Sequence, residues 1–292
     1  MIKSLFTTIF CLFTSVFLFA QEEQEYLGML KLNDSSYISY RLYFKINKDD
    51  SVKGYSVTNM GGPHETKSYI IGKYKPASKE ISFNENGIEY TKSDVTTYDF
   101  CYVHFNGKLK SSNGQNVLEG PFKGKFSDGI SCIDGEIMVK NMKQIEKIAK
   151  KADKKIQRSN KIADSIKQNV SLSNLMDLNG LNVLKSDERT TMFTRLEEIK
   201  LTIWDAGKLD GDKISVFFNG KNLLTSYEIE KEKKILNLPL ANGKNIIKLR
   251  ADNLGEIAPN TAKIEILLGD KKIDLLSNLQ KGEITSVVVI RQ

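Results

Sequence analysis

Along most of the chain beyond residue 25, apolar and polar residues alternate with period two. In "YISYRLYFKI" (37–46), Ile38, Tyr40, Leu42, Phe44 and Ile46 fall on one face, and Tyr37, Ser39, Arg41, Tyr43 and Lys45 on the other. That is the pattern of a half-buried antiparallel strand. It recurs in "VKGYSVTN", "SYIIGKY", "KEISFNE", "YDFCYVHF", "NVLEGPFKGKF" and "CIDGEIMV", with Gly, Asn, Asp and Pro between the segments. No helical period interrupts them. Short strands at such spacing predict an antiparallel barrel or sandwich.

Two features favour a barrel over residues 21–139. Gly54, Gly72, Gly120 and Gly124 stand inside strand patterns, where they suit the bends and bulges of a curled sheet. Sixteen aromatic residues lie between Tyr26 and Phe126, against five in the rest of the chain after residue 20. A small barrel of calycin type is the expected fold. Its aromatics either fill the interior and the outer pleats or line a cavity for one apolar ligand.

The period changes at residue 140. "KNMKQIEKIAKKADKKIQRSNKIADSIKQ" (140–168) has no Gly or Pro, and Met142, Ile145, Ala149, Ala152, Ile156, Ser159, Ala163 and Ile166 recur at spacings of three and four. A helix with one narrow, weakly apolar stripe is predicted. Rest on a neighbouring domain, self-association along the stripe, and attraction to an anionic lipid or lipopolysaccharide surface are all open to it. Residues 169–190 read as an irregular linker. A second set of strands fills 191–292, from "EIKLTIWD" and "KISVFFNG" to "TAKIEILL" and "EITSVVVIR". Its turns carry "DGD", "NGKN" and "APN", which predicts an immunoglobulin-like β-sandwich. The fold class expected is thus mainly β, with a barrel, a basic connecting helix and a sandwich.

The N-terminus adds a destination. One lysine, the apolar run "LFTTIFCLFTSVFLFA" and the polar "QEEQE" describe a secretory signal peptide over 1–20, cleaved near Ala20. The competing transmembrane anchor would need roughly 20 apolar residues. Cys11 lacks the small residues that precede a lipidated cysteine, and no later segment is long and apolar enough to span a bilayer. Export leaves Cys101 and Cys132 in an oxidising compartment, where such a pair predicts a disulfide. Charge is local. Residues 141–168 carry nine Lys/Arg against three Asp/Glu, while the remainder after residue 20 balances at 33 of each. Neither β region is itself basic, so nucleic acid is not an expected partner.

Candidate chemistry is sparse. "WDAGKLDGD" places Asp205, Asp210 and Asp212 within eight residues, between two consecutive strands. Carboxylates alternating with Gly can supply part of a calcium shell, although the EF-hand pattern is absent. The other reading is a turn at Asp210-Gly211-Asp212, with Asp205 capping backbone amides. If the strands run up and down, the loops at 205–212, 231–234 and 254–260 share one end, bringing Asp252, Asn253, Glu256 and Asn260 near the aspartates. Trp204 reads as a core residue. His64 and His104 are the only histidines, too few for a zinc site. No nucleophile stands in a catalytic motif, so the chain does not read as an enzyme.

The order "GYSVTNMGGPHETKSYIIGKY", "DFCYVHF", "GPFKGKFSDGISCIDGEI", basic helix, "IWDAGKLDGDKISVFFNGK" and "ADNLGEIAPNTAKIEI" resembles secreted two-domain proteins of Bacteroidetes bacteria. The resemblance covers nearly the whole chain after the signal. It implies export and modularity, and no catalytic residue. The expected function is that of a secreted or periplasmic non-enzymatic binding protein. Its sandwich would be an adhesion or docking module, with no certain cofactor, Ca2+ as a candidate one, and an envelope protein or glycan as partner. The alternative is a lipocalin-like carrier holding a small hydrophobic ligand in the barrel.

Overall fold

A computed structural model describes residues 23–33, 36–112, 115–159 and 182–292. The expected signal peptide, residues 160–168 of the expected helix and 169–181 of the expected linker lie outside the described residues.

Eight strands open the fold: β1 (Glu23–Leu32), β2 (Tyr37–Ile46), β3 (Ser51–Thr58), β4 (Thr66–Lys75), β5 (Glu80–Thr91), β6 (Tyr102–Ser112), β7 (Gln115–Lys125) and β8 (Gly135–Asn141). Each pairs antiparallel with the next, and β1 pairs with β8 from Tyr26–Asn141 to Leu32–Gly135, so the sheet closes into a barrel. The period-two pattern explains the interior. Tyr40, Leu42 and Phe44 of β2 are fully buried, together with Tyr26, Ile81, Phe83, Leu118 and Ile137. Inside, Tyr26 stacks on Phe44 at 5.8 Å, and Phe83 meets Phe105 at 5.1 Å. The glycines serve the curvature: a Cβ on Gly54 would sit 1.9 Å from the Tyr43 carbonyl oxygen, and one on Gly72 2.0 Å from that of Ser82. Only glycine permits so close an approach of neighbouring strands.

Helix α1 (Met142–Arg158) follows directly, capped by the Asn141 side chain, which accepts from the Lys143 amide at 3.1 Å. Met142 and Ala149 of the predicted stripe are buried, and the helix packs on β1 and β8. Its lysines face away from the barrel, with Lys155 and Arg158 in the last turn, where they complement the helix dipole.

The remaining strands are β9 (Asn182–Leu184), β10 (Arg189–Thr194), β11 (Glu198–Trp204), β12 (Lys213–Phe218), β13 (Lys221–Glu228), β14 (Lys234–Pro239), β15 (Gly243–Ala251), β16 (Lys263–Leu268), β17 (Lys271–Ser277) and β18 (Ile284–Arg291). The segment expected to be irregular up to residue 190 therefore holds β9 and the start of β10. Both are short strands that pair in parallel, β9 with β17 and β10 with β18. Such pairing depends on distant partners rather than on a local pattern. The strands form two runs of five, β13-β12-β15-β18-β10 and β14-β11-β16-β17-β9. Leu201, Ile203, Val216, Leu249, Ile266 and Val287, drawn from both runs, share one hydrophobic cluster.

This region repeats itself. The unit β11–β14 recurs as β15–β18, and the two units exchange strands. Leu201 of β11 faces Ile266 of β16, while Leu249 of β15 faces Val216 of β12. The hairpins "KISVFFNGK" and "KIEILLGDK" start at Lys213 and Lys263 and turn in the same register, Phe218 opposite Lys221 and Leu268 opposite Lys271.

Barrel and repeat are joined. Thr91 at the end of β5 pairs with Thr191, and Tyr90 lies in the hydrophobic cluster of the second region. Lys92 is buried between them, its Nζ 3.0 Å from Glu188 Oε2, 3.2 Å from the Val183 carbonyl and 4.0 Å from Glu65 Oε1.

Candidate ligand site at the mouth of the barrel

β5 and β6 pair only from Glu80–Lys108 to Asn84–His104. Beyond Asn84 they part, and β5 shifts register against β4 and runs on to meet β10. Glu85 is the next inward-facing residue after Ile81 and Phe83, and it stands at the parting. Its Oε2 accepts from the Val103 amide at 2.9 Å, and its Oε1 from Ser56 Oγ at 2.6 Å and from the Tyr40 hydroxyl at 3.3 Å. Burial pushes the carboxyl of Glu85 above the ordinary carboxylate range, opposed by those three hydrogen bonds. Burial, and after it the negative charge of Glu85, raise Tyr40 well above the usual phenol value. No Lys, Arg or His among the described residues forms an ion pair with Glu85.

At this end the barrel is hollow, with a cavity of about 400 Å³. The inward face of the β3–β4 hairpin changes character along its length. Val52 and Ile70 face the packed interior, but Ser56, Thr58, Thr66 and Ser68 hold the positions nearest the mouth. Thr58, Thr66, Ser68 and Glu85 give the cavity a polar lining on β3, β4 and β5, and Leu30, Ile38, Val103 and Phe122 give it an apolar lining on β1, β2, β6 and β7. His64 stands at the rim, its Nδ1 3.1 Å from Ser93 Oγ. The Cys101–Cys132 disulfide, with Cα atoms 5.9 Å apart, ties the start of β6 to the β7–β8 connection beside the cavity. In the chain-entropy model a loop of this length contributes about 3–4 kcal/mol.

The acidic loop joins β11 to β12 in the second region. Its topology is the one alternation requires: the β11–β12 and β15–β16 loops meet. Asp210 Oδ2 accepts from the Ile257 amide at 3.2 Å and Asp212 Oδ2 from the Thr261 amide at 2.7 Å. Asn253 Oδ1 accepts from the Lys213 amide at 2.6 Å, and its Nδ2 donates to the Gly211 carbonyl at 2.7 Å. Asp205 Oδ1 accepts from the Gly207 amide at 2.6 Å. Asp252 is turned elsewhere, toward Ser215, Ser226 and Arg250. The carboxyl of Asp212 is pushed up to about 6, chiefly by burial, with Asp210 and Asp205 adding repulsion. Asp212 Oδ1 and Asn260 Oδ1 are buried without a hydrogen-bond partner. Among the described residues no group of three or more His, Cys, Asp or Glu side chains is placed to hold a metal ion.

Trp204 corrects the expectation of a core residue. Ile199, Leu201 and Ile203 of β11 are buried, whereas Trp204 is half-exposed at the strand end, with Lys233 Nζ 4.4 Å and Lys263 Nζ 5.4 Å from its ring. His104 is on β6, away from His64, and desolvation and Lys125 lower its pKa. Glu85 was legible as the third of three alternate residues on one strand face, but a charged residue in that frame reads most simply as solvent-facing. Comparison of the chain with known protein families, with curated proteins and with solved structures finds no match.

Proposed function

We propose that the chain is a secreted or periplasmic, non-enzymatic binding protein whose barrel carries a small amphipathic molecule at its mouth. Residues 182–292 would then be an immunoglobulin-like β-sandwich that docks the carrier on an envelope protein or a glycan. The cavity of about 400 Å³ is what supports the carrier reading. It falls inside the range of roughly 300–1,000 Å³ typical of small-molecule sites and has both an apolar and a polar lining. The expectation of a small hydrophobic ligand is thereby narrowed to an amphipathic one.

The acidic loop acts in this reading as a lock between the two repeat units rather than as a calcium site. Each of Asp205, Asp210 and Asp212 gives one oxygen to a backbone amide, and the one oxygen that each has left falls short of the six to eight that calcium takes. Melting curves in calcium and in chelator should coincide.

Native mass spectrometry of the protein purified from the organism that makes it tests the carrier. A small molecule should be retained by the wild-type chain and lost from Ile38→Trp, which fills the cavity from a half-buried wall position. Bare protein mass for both, with no uptake of added amphiphiles, would refute the reading.

A further inference from the structure

We infer that the molecule held at the barrel mouth is a small amine with an apolar body, its ammonium group set against Glu85. The inference rests on the carrier reading and goes beyond it by naming the ligand's charge.

Glu85 is only 8 % exposed and lines the cavity, yet its three partners are all neutral donors: a serine hydroxyl, a tyrosine hydroxyl and a backbone amide. A carboxylate offers about four acceptor positions, so roughly one remains. Burying a carboxylate with hydrogen bonds but no counter-charge is costly, and a cation brought by a ligand offsets that cost where a neutral head cannot. An anionic head would be repelled by the same group. The hydroxyl oxygens of Thr58 and Ser68 line the same cavity and can accept the remaining ammonium hydrogens, that of Thr66 being bonded to Thr91 and His64, and the apolar lining takes the body. At roughly 30 Å³ per water, the cavity has room on the order of a dozen non-hydrogen atoms.

Three probes built on one indole ring separate the possibilities: tryptamine, its equally sized alcohol analogue tryptophol, and the slightly longer indole-3-propionate. Titrated calorimetrically into the full chain, tryptamine should bind at least about tenfold tighter than tryptophol, and the propionate should not bind. Glu85→Gln keeps an acceptor for the Val103 amide and should abolish the tryptamine preference, weakening tryptamine far more than tryptophol. The wild-type series needs no variant, so it decides the question even if Glu85→Gln folds poorly. Equal binding of tryptamine and tryptophol to the wild-type chain would overturn the role of Glu85 and leave the carrier standing. Failure of all three probes would count against the carrier itself.

Discussion

At Asp212 a carboxylate sits where its charge is poorly solvated, and the consequence has a definite sign. In the unfolded chain it ionises near its ordinary value of 3.8, and in the folded chain near 6. Between those values the native state holds the proton and the unfolded state has released it, so stability falls as pH rises through that window. Asp212→Asn retains an acceptor for the Thr261 amide and removes the charge. It should raise stability at pH 7 by on the order of 1–3 kcal/mol and flatten the dependence between about pH 4 and 6, as read by urea denaturation. Beside it, Gly211 takes φ +81°, with open space where a side chain would stand, so Gly211→Val tests backbone strain alone. A loss of about 1–3 kcal/mol is expected, against a mild effect for Asp210→Asn, whose amide contact survives the exchange.

At the scale of elements, β5 joins the two regions: it pairs with β4 and β6 in the barrel, parts from β6 beyond Asn84, and reaches the second region through Tyr90 and Thr91, with Lys92 just past its end. Lys92 is 3 % exposed in its side chain and holds Glu188 and Glu65. Lys92→Ala should cost on the order of 1–3 kcal/mol, because buried Glu65 and half-buried Glu188 lose their shared cation while Glu65 keeps its bonds from Tyr90 and the Gly61 amide, and should split unfolding into two steps. Unfolding that stays in one step, with little loss, would contradict that role. β9 supplies Leu184 to the cluster of the second region, so a fragment 182–292 should melt several degrees above 191–292. Equal melting would show β9 to be dispensable. The barrel strands were legible because side chains such as Tyr40, Leu42 and Phe44 obey a strict two-residue period. β9 was not, since a three-residue strand has no period of its own and is held by β17. The repeat hid for another reason. "KISVFFNGK" and "KIEILLGDK" share only their opening Lys-Ile and closing Lys, and their turns differ, with positive φ at both Asn219 and Gly220 but only at Gly269 of the second; it is the cross-strand register that makes the two units equivalent. α1 met its expected stripe through Met142 and Ala149, leaving its lysines outward. Any attachment to anionic lipid vesicles should therefore weaken steeply with salt.

As a whole molecule, the chain couples a barrel that is packed through most of its length and hollow at one end to a repeat-built second region. The packed part, from Tyr26 and Phe44 to Ile81 and Phe83, holds the shape; the hollow part carries a carboxylate without a counter-charge in a cavity that is otherwise lined by hydroxyl and apolar side chains. The measurement that meets this account most directly is the titration of tryptamine and tryptophol into the wild-type chain and into Ile38→Trp. The account predicts saturable binding of tryptamine to the wild type, weaker binding of tryptophol, and loss of both in Ile38→Trp. Binding of either probe that persists in Ile38→Trp, or no binding to the wild type, would contradict it.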